Sequence, residues 1–207
     1  MMKLSQNGFD MIANFELSAG AARAWGLGEF DAQGNMIGIY PHYVFKKVDG
    51  VYKSDGGITL GYGYYVSPKK YEQDAEATKL IDQYATNASF TPPYVPNNGV
   101  SYRVPGSTYM PIEEAKALYA VTAPTYEAGV RKFLEDNSIV LKSNQFDALV
   151  SFTYNYGIYW WDEDKVMPNF IRNGNGVYDP DEVRRIFAMH DNPDRRAIEA
   201  EVFINGY

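Results

Sequence analysis

The stretch that most limits what this chain can fold into is Ser143 to Tyr156, SNQFDALVSFTYNY, closed by Gly157. Phe146, Leu149, Val150, Thr153 and Tyr154 fall at helical spacing, and the helix they make is apolar around much of its circumference. It reads as the central buried helix. A chain of 207 residues, 45% of them hydrophobic, is large enough to bury it in one domain with a real core, or in a large lobe with a smaller one attached.

Further helical patterns lie on either side. Residues 5 to 16 place Phe9, Ile12, Ala13 and Phe15 on one apolar face, with Ser5 as N-cap and Ser18 and Gly20 ending the run. Glu16 then sits in the last turn, beside the partial negative charge of the carbonyl end, which pushes its pKa upward as a general acid requires. The alternative is a solvated glutamate at a helix end. Lys69 to Tyr84 reads as a charged helix. Pro111, Glu113 and Glu114 open another, Pro124 breaks it, and a second helix runs to about Asp136. Asp179-Pro180 and Asn192-Pro193 open the last two, the final one reaching about Ile204.

Residues 17 to 66 are different in kind. Glycines, aromatics and short β-branched runs, with Asp49-Gly50 as a hairpin turn, predict a small antiparallel sheet of about three or four strands. Within it, Ser54 to Tyr65 (SDGGITLGYGYY) either sets Asp55 and Thr59 on opposite arms of a small hairpin, facing one cleft, or is simply a turn. Tyr62, Tyr64 and Tyr65 either line a polysaccharide groove or simply cover the sheet. Residues 86 to 108, rich in Pro, Asn and Gly, predict an exposed irregular excursion without chemistry. The fold class expected is α+β in a single domain, 1-207. It has a β lobe at 17-66, a linking helix and irregular insertion at 67-110, and a helical lobe at 111-207 on which helix 5-16 packs.

Several functions are excluded at this level. Without cysteine there is no disulfide or thiolate chemistry, and His42 and His190 have no second ligand at metal spacing, so neither metal nor cofactor is expected. No apolar run approaches the roughly 18 residues of a membrane span, and residues 1 to 13 lack the apolar core of a signal peptide. A formal charge of −7 gives no reason to bind nucleic acid.

Five segments, in chain order, resemble one family. They are Phe15-Glu16 at the end of the first helix, Thr59-Leu60-Gly61-Tyr62-Gly63, Pro111-Ile112-Glu113-Glu114-Ala115, Asn144 to Phe152 with Asn155-Tyr156-Gly157, and Pro193-Asp194-Arg195-Arg196 with Phe203 and Gly206. Together they are similar to the phage-type lysozymes of glycoside hydrolase family 24, the T-even phage lysozyme-like muramidases and endolysins. The resemblance implies a lysozyme-like fold and a Glu, Asp, Thr triad. Glu16 and Thr59 carry over by motif. The family's aspartate stands six residues before the threonine, where this chain has Lys53; Asp55 follows with the turn shortened, and Asp49 is the alternative. The family's histidine after the glycine turn is here Tyr64. Arg195 occupies the place of an arginine paired with the glutamate, and Tyr62, Tyr64 and Asn155 are further candidates for binding or orienting substrate.

The resemblance implies cleavage of peptidoglycan with inversion, Glu16 protonating the leaving oxygen, Asp55 ionised, and Thr59 holding the water, with carboxyl groups roughly 6.5–9.5 Å apart. The rival readings are an inactive peptidoglycan-binding or tail-structural protein and a lytic transglycosylase. The partner expected is bacterial peptidoglycan, reached by a holin-dependent release from the host cytoplasm or by carriage on a phage particle. The charge of −7 opposes adsorption to an anionic wall. Co-sedimentation with purified wall is therefore expected to rise with salt between about 10 and 150 mM, as the screening length falls from about 30 to about 8 Å. Binding that stays flat across that range contradicts a repulsive net field.

Overall fold

The computed structural model describes residues 2–54 and 56–207. Along the chain run α1 (Gln6–Leu17), α2 (Ala19–Trp25), β1 (Gly28–Phe30), β2 (Met36–Ile39), β3 (His42–Tyr43), β4 (Phe45–Val48) and β5 (Val51–Ser54). There follow β6 (Ile58–Leu60), β7 (Tyr64–Val66), α3 (Pro68–Gln73), α4 (Ala75–Tyr84), β8 (Tyr102–Arg103) and β9 (Met110–Pro111). The rest is helical: α5 (Ile112–Asp136), α6 (Ser143–Tyr156), α7 (Trp160–Glu163), α8 (Val166–Gly174), α9 (Pro180–Phe187) and α10 (Pro193–Asn205). The chain is α+β and divides into two compact units, one of residues up to Phe15 together with Ala123–Tyr207, the other Glu16–Thr122. No helix among the described residues is long and apolar enough to cross a membrane.

In the first unit α6 is the core. Its residues Gln145 to Thr153 are all buried. The Lys142 amide donates to the Gln145 side chain at 2.9 Å, closing the first turn. The Phe152 ring meets Tyr156, Trp160, Phe187 and His190. Trp160, 1% exposed, donates its indole N–H to Thr153 at 2.8 Å, so the largest buried ring leaves no polar atom unsatisfied. α10 is fastened to α6 by Asn144, whose amide donates to the carbonyls of Val202 and Phe203 at 2.7 and 3.0 Å. At the other side Asp147 accepts from the Ser5 amide at 3.0 Å, the Ser5 hydroxyl at 2.5 Å and the Tyr207 hydroxyl at 3.3 Å. A Cβ on Gly8 would stand 2.7 Å from the Asp147 carboxyl carbon, so glycine is what lets α1 close there.

Among the described residues the second unit carries nine strands in three antiparallel sheets, ordered β1-β2-β9, β7-β6-β3-β8 and β4-β5. In the four-stranded sheet Ile58, Leu60, Val66 and Tyr43 are at most 1% exposed and form the apolar face. The β4-β5 ribbon turns at Asp49 and Gly50, both at positive φ (52° and 81°), as the Asp-Gly pair predicts.

Three expectations need correction, and a fourth, the irregular excursion, holds but is incomplete. Ser18 does not end helical structure but caps α2, accepting from the Ala21 amide at 3.2 Å ahead of an alanine-rich run. The Lys69–Tyr84 helix is two helices, because the Asp74 side chain accepts from the Glu76 and Ala77 amides and its extended backbone (ψ 107°) restarts the chain. Pro124 lies inside a single α5; one intrahelical bond is forfeited there, while Thr122 donates to the Tyr119 carbonyl at 2.9 Å in the same turn. The 86 to 108 excursion has little regular structure but is pinned. Tyr43 donates to the Ser89 carbonyl at 2.5 Å, Val104 to Pro41 at 2.8 Å and Thr108 to Tyr84 at 2.9 Å, and Tyr102 stacks on Phe45 and Tyr94. Replacing Asp147 by Ala is expected to cost about 1–3 kcal/mol, since it removes the buried acceptor of both half-buried Ser5 donors, while the hydroxyl of the exposed Tyr207 can turn to water. Denaturant unfolding with an unchanged m-value is the check, and a loss below about 0.5 kcal/mol contradicts it.

Candidate active site

Thr59 is the middle residue of β6, and register fixes its surroundings. Tyr65 on β7 and His42 on β3 face it directly, and Arg103 on β8 faces His42. Opposed residues of antiparallel strands share a face, so Tyr65, Thr59, His42 and Arg103 make one row across the sheet, on the side away from Ile58 and Leu60. Thr59 and His42 are 6% and 7% exposed, whereas the row's ends, Tyr65 and Arg103, are open to solvent. Among the described residues the Thr59 hydroxyl makes no hydrogen bond. It is a polar group set into a nearly closed floor and available to hold a water.

His42 lies 3.0 Å from the Tyr40 carbonyl through Nδ1. A carbonyl can only accept, so Nδ1 carries the proton, and burial pushes the ring's pKa below its ordinary value. The imidazole beside Thr59 is therefore neutral. Along the same face Arg103 lies flat over Tyr40, its guanidinium carbon 3.4 Å from the ring centroid. Tyr40 donates to Glu29 at 2.6 Å, and that bond, followed by burial, holds its phenol above the usual tyrosine range.

The turn after Thr59 explains its own sequence. Gly61 and Gly63 sit at φ 51° and 90°, and a Cβ on Gly61 would lie 3.0 Å from the Ala115 Cβ at the start of α5. Thus the two motifs TLGYG and PIEEA meet at one contact. Tyr62 in the turn is 8% exposed. Tyr64 faces Leu60 rather than Thr59, with the Lys70 ammonium 3.7 Å from its ring centroid. Tyr65, not Tyr64, shares the face of Thr59, and its ring lies against Gly57.

Glu16 is the penultimate residue of α1 and half-buried. α2 begins at Ala19, so the amide end of one helix follows the carbonyl end of the other within three residues, and their dipoles partly offset at Glu16. Asp49 occupies the exposed tip of the β4-β5 ribbon, where its positive φ is a turn requirement. Lys53, six residues before Thr59, belongs to that ribbon, whereas the strands paired with β6 are β3 and β7. Asp55 lies outside the described residues.

Arg195 and Asn155 belong to the other unit. Arg195 donates Nε to Glu199 at 2.9 Å and Nη2 to the Ser151 carbonyl at 3.0 Å, with its guanidinium carbon 4.7 Å from the Phe15 ring centroid. Glu199, fully buried, also accepts from Ser151 at 2.5 Å and from Arg196. The Asn155 side-chain oxygen accepts from Arg196 and, at 3.1 Å, from Asn192. Sequence reasoning missed His42 as a neighbour of Thr59, and missed Arg103 and Tyr40 altogether. The period-two run Tyr40-Pro41-His42, which puts positions 40 and 42 on one face, was the available signal.

Residues 95–187 match the family model for phage lysozyme, a span that includes α5 and α6 but neither Glu16 nor Thr59. No curated protein matches the chain in sequence. Among solved structures it is similar to the muramidase domain of SpmX from Asticaccaulis excentricus, 19% identical over 99% of each chain with a TM-score of 0.51. It is also similar to an endolysin from Escherichia coli O157:H7 phage FAHEc1, 18% identical over 100% of this chain and 96% of that one, TM-score 0.49. What these comparisons establish is a lysozyme-like α+β fold, with the phage-lysozyme match confined to residues 95–187.

Because the buried His42 must be neutral in the folded state, its contribution to stability is flat above its unfolded pKa of about 6.5 and falls as pH drops below it, by at most about 1.4 kcal/mol per unit. His42→Gln is expected to lose less stability than the parent between pH 6.5 and 5. Denaturant melts across pH would show the two curves parallel above pH 7 and converging below; parallel curves throughout contradict a neutral buried ring.

Proposed function

We propose that this chain is a peptidoglycan hydrolase, an N-acetylmuramidase cleaving the β-1,4 bond between N-acetylmuramic acid and N-acetylglucosamine. The observation that carries the reading is the setting of Thr59: a hydroxyl without a hydrogen bond among the described residues, in a nearly closed polar floor, beside the glycine turn that packs on Ala115. The phage-lysozyme match over residues 95–187 supports it from the other side of the chain.

Glycoside hydrolysis needs one protonated and one ionised carboxyl across the scissile bond. Glu16 is the acid and gives its proton to the leaving oxygen. Asp55 stays ionised, stabilises positive charge on the sugar and polarises the attacking water, which the Thr59 hydroxyl holds. Inversion follows from water attacking opposite the leaving group. The family resemblance also implies an orienting role for Arg195, and the rigid mounting of that side chain by Glu199 and Ser151 suits such a role. The protein acts at the bacterial wall, released with the help of a holin or carried on a phage particle.

Four variants assayed on purified peptidoglycan test the assignment. Glu16→Gln is expected to cut turnover at least roughly a hundredfold, the scale of general acid catalysis, and Thr59→Ala roughly tenfold. Asp55→Asn is expected to abolish activity while Asp49→Asn leaves it; the reverse pattern overturns the choice of aspartate. Mass spectrometry of the products separates the rivals. Reducing muropeptide ends mean hydrolysis, anhydro ends mean a transglycosylase, and no release means a binding protein.

A further inference from the structure

We propose that Arg103 is an anion anchor of this same site and binds a carboxylate carried by the muramyl unit of the substrate. The inference rests on the muramidase reading above. It begins from the row across the four-stranded sheet, in which Arg103 is the terminal residue, on edge strand β8, two strands from Thr59. With strands about 4.8 Å apart, the two backbones are about 10 Å apart on one face. That is about the span of two linked sugar rings. Between them lies His42, buried and neutral, which adds neither a competing charge nor a counter-ion.

Arg103 is held for a task rather than left to wave in solvent. Its plane lies over Tyr40, its Nε donates to the Ser107 hydroxyl at 3.3 Å, and its Nη2 donates to the Ser107 carbonyl at 2.5 Å. Tyr40 is itself tethered to Glu29. These contacts occupy one edge of the guanidinium. Beyond Ser107 and Tyr40 the guanidinium has no hydrogen-bond partner among the described residues, and no carboxylate pairs with Arg103 within 4.0 Å among them, although acidic residues outnumber basic ones 26 to 19. A fixed, permanently charged planar donor with an open edge matches a carboxylate, and its prior ordering lowers the entropy lost on binding. What distinguishes peptidoglycan from neutral β-1,4 glycans is carboxylates, along the peptide stem or, on units without a stem, on the lactyl ether. Either source presents the same group to Arg103.

The test is steady-state kinetics of Arg103→Gln and Arg103→Lys against the parent protein. The substrates are intact peptidoglycan and amidase-stripped glycan, in which hydrolysis of the lactyl–peptide amide frees the lactyl carboxylate, with a chitooligosaccharide as a carboxylate-free inhibitor. Arg103→Gln is expected to raise KM on intact peptidoglycan roughly tenfold, the scale of one charge-assisted hydrogen bond, with kcat nearly unchanged and the inhibitor constant unmoved. Arg103→Lys is expected to recover part of the loss. A KM effect on intact peptidoglycan that vanishes on stripped glycan assigns the stem; one confined to stripped glycan assigns the lactyl group, and one on both means that Arg103 takes whichever carboxylate the muramyl unit presents. Unchanged KM on both substrates overturns the anchor, as does an equal weakening of the chitooligosaccharide, which would mark a structural role. If the parent cleaves nothing, the muramidase reading fails on its own account. Co-sedimentation of parent and Arg103→Gln with intact peptidoglycan then still decides, equal binding overturning the anchor and weakened binding, relieved on the neutral chitin polymer, sustaining it.

Discussion

The polar face of the four-stranded sheet depends on one register, the pairing of His42 with Thr59. A slip by one residue would turn Thr59 into the core and bring Ile58 or Leu60 onto the open face, so chemistry and core stand or fall together. β3 is only two residues long and cannot hold that register by ladder bonds alone. The contacts that hold it come from the irregular excursion: Val104 on Pro41, Tyr43 on Ser89, and the pairing of Tyr43 with Tyr102. A segment that looks dispensable by composition thus sets the geometry of the candidate catalytic threonine.

The other unit is organised by a buried charge. Glu199 is fully buried between Arg195 and Arg196, 8% and 0% exposed, with Ser151 closing the set. Such a cluster is not a cheap source of stability, because desolvating the ions costs about as much as their attraction returns. Its value is positional. It fixes two arginines against α6 and the rings of Phe15 and Phe152, leaving neither side chain freedom to drift.

How much of this was legible depended on whether the deciding interaction was local. The amphipathic run of α1, the near-uniform apolarity of α6, the Pro-opened α9 and α10 and the Asp-Gly turn are written within a few residues, and the sequence alone announces them. Ser18 reads as a stop and Asp74 as the interior of one helix, yet each is an N-cap, since a side chain that halts one helix also starts the next. Pro124 was overweighted, because neighbouring turns of a 25-residue helix carry it across one lost bond. The candidate site was half legible. Glu16 and Thr59 came from motifs, but His42, Tyr40 and Arg103 join the row only through pairing between residues up to sixty apart. The position six residues before Thr59 falls in the β4-β5 ribbon, which is inserted in the chain between β3 and β6.

The contact between Gly61 and Ala115 has a wider meaning. Two stretches more than fifty residues apart share a space with no room for one added methyl group. Neither position is free to vary by itself. A larger residue at 115 closes the space that the glycine turn needs, and any side chain at 61 meets both a wrong backbone angle and an occupied neighbour. In a randomised library the pair would survive or vanish as a unit, so the two motifs behave as one inherited character rather than two.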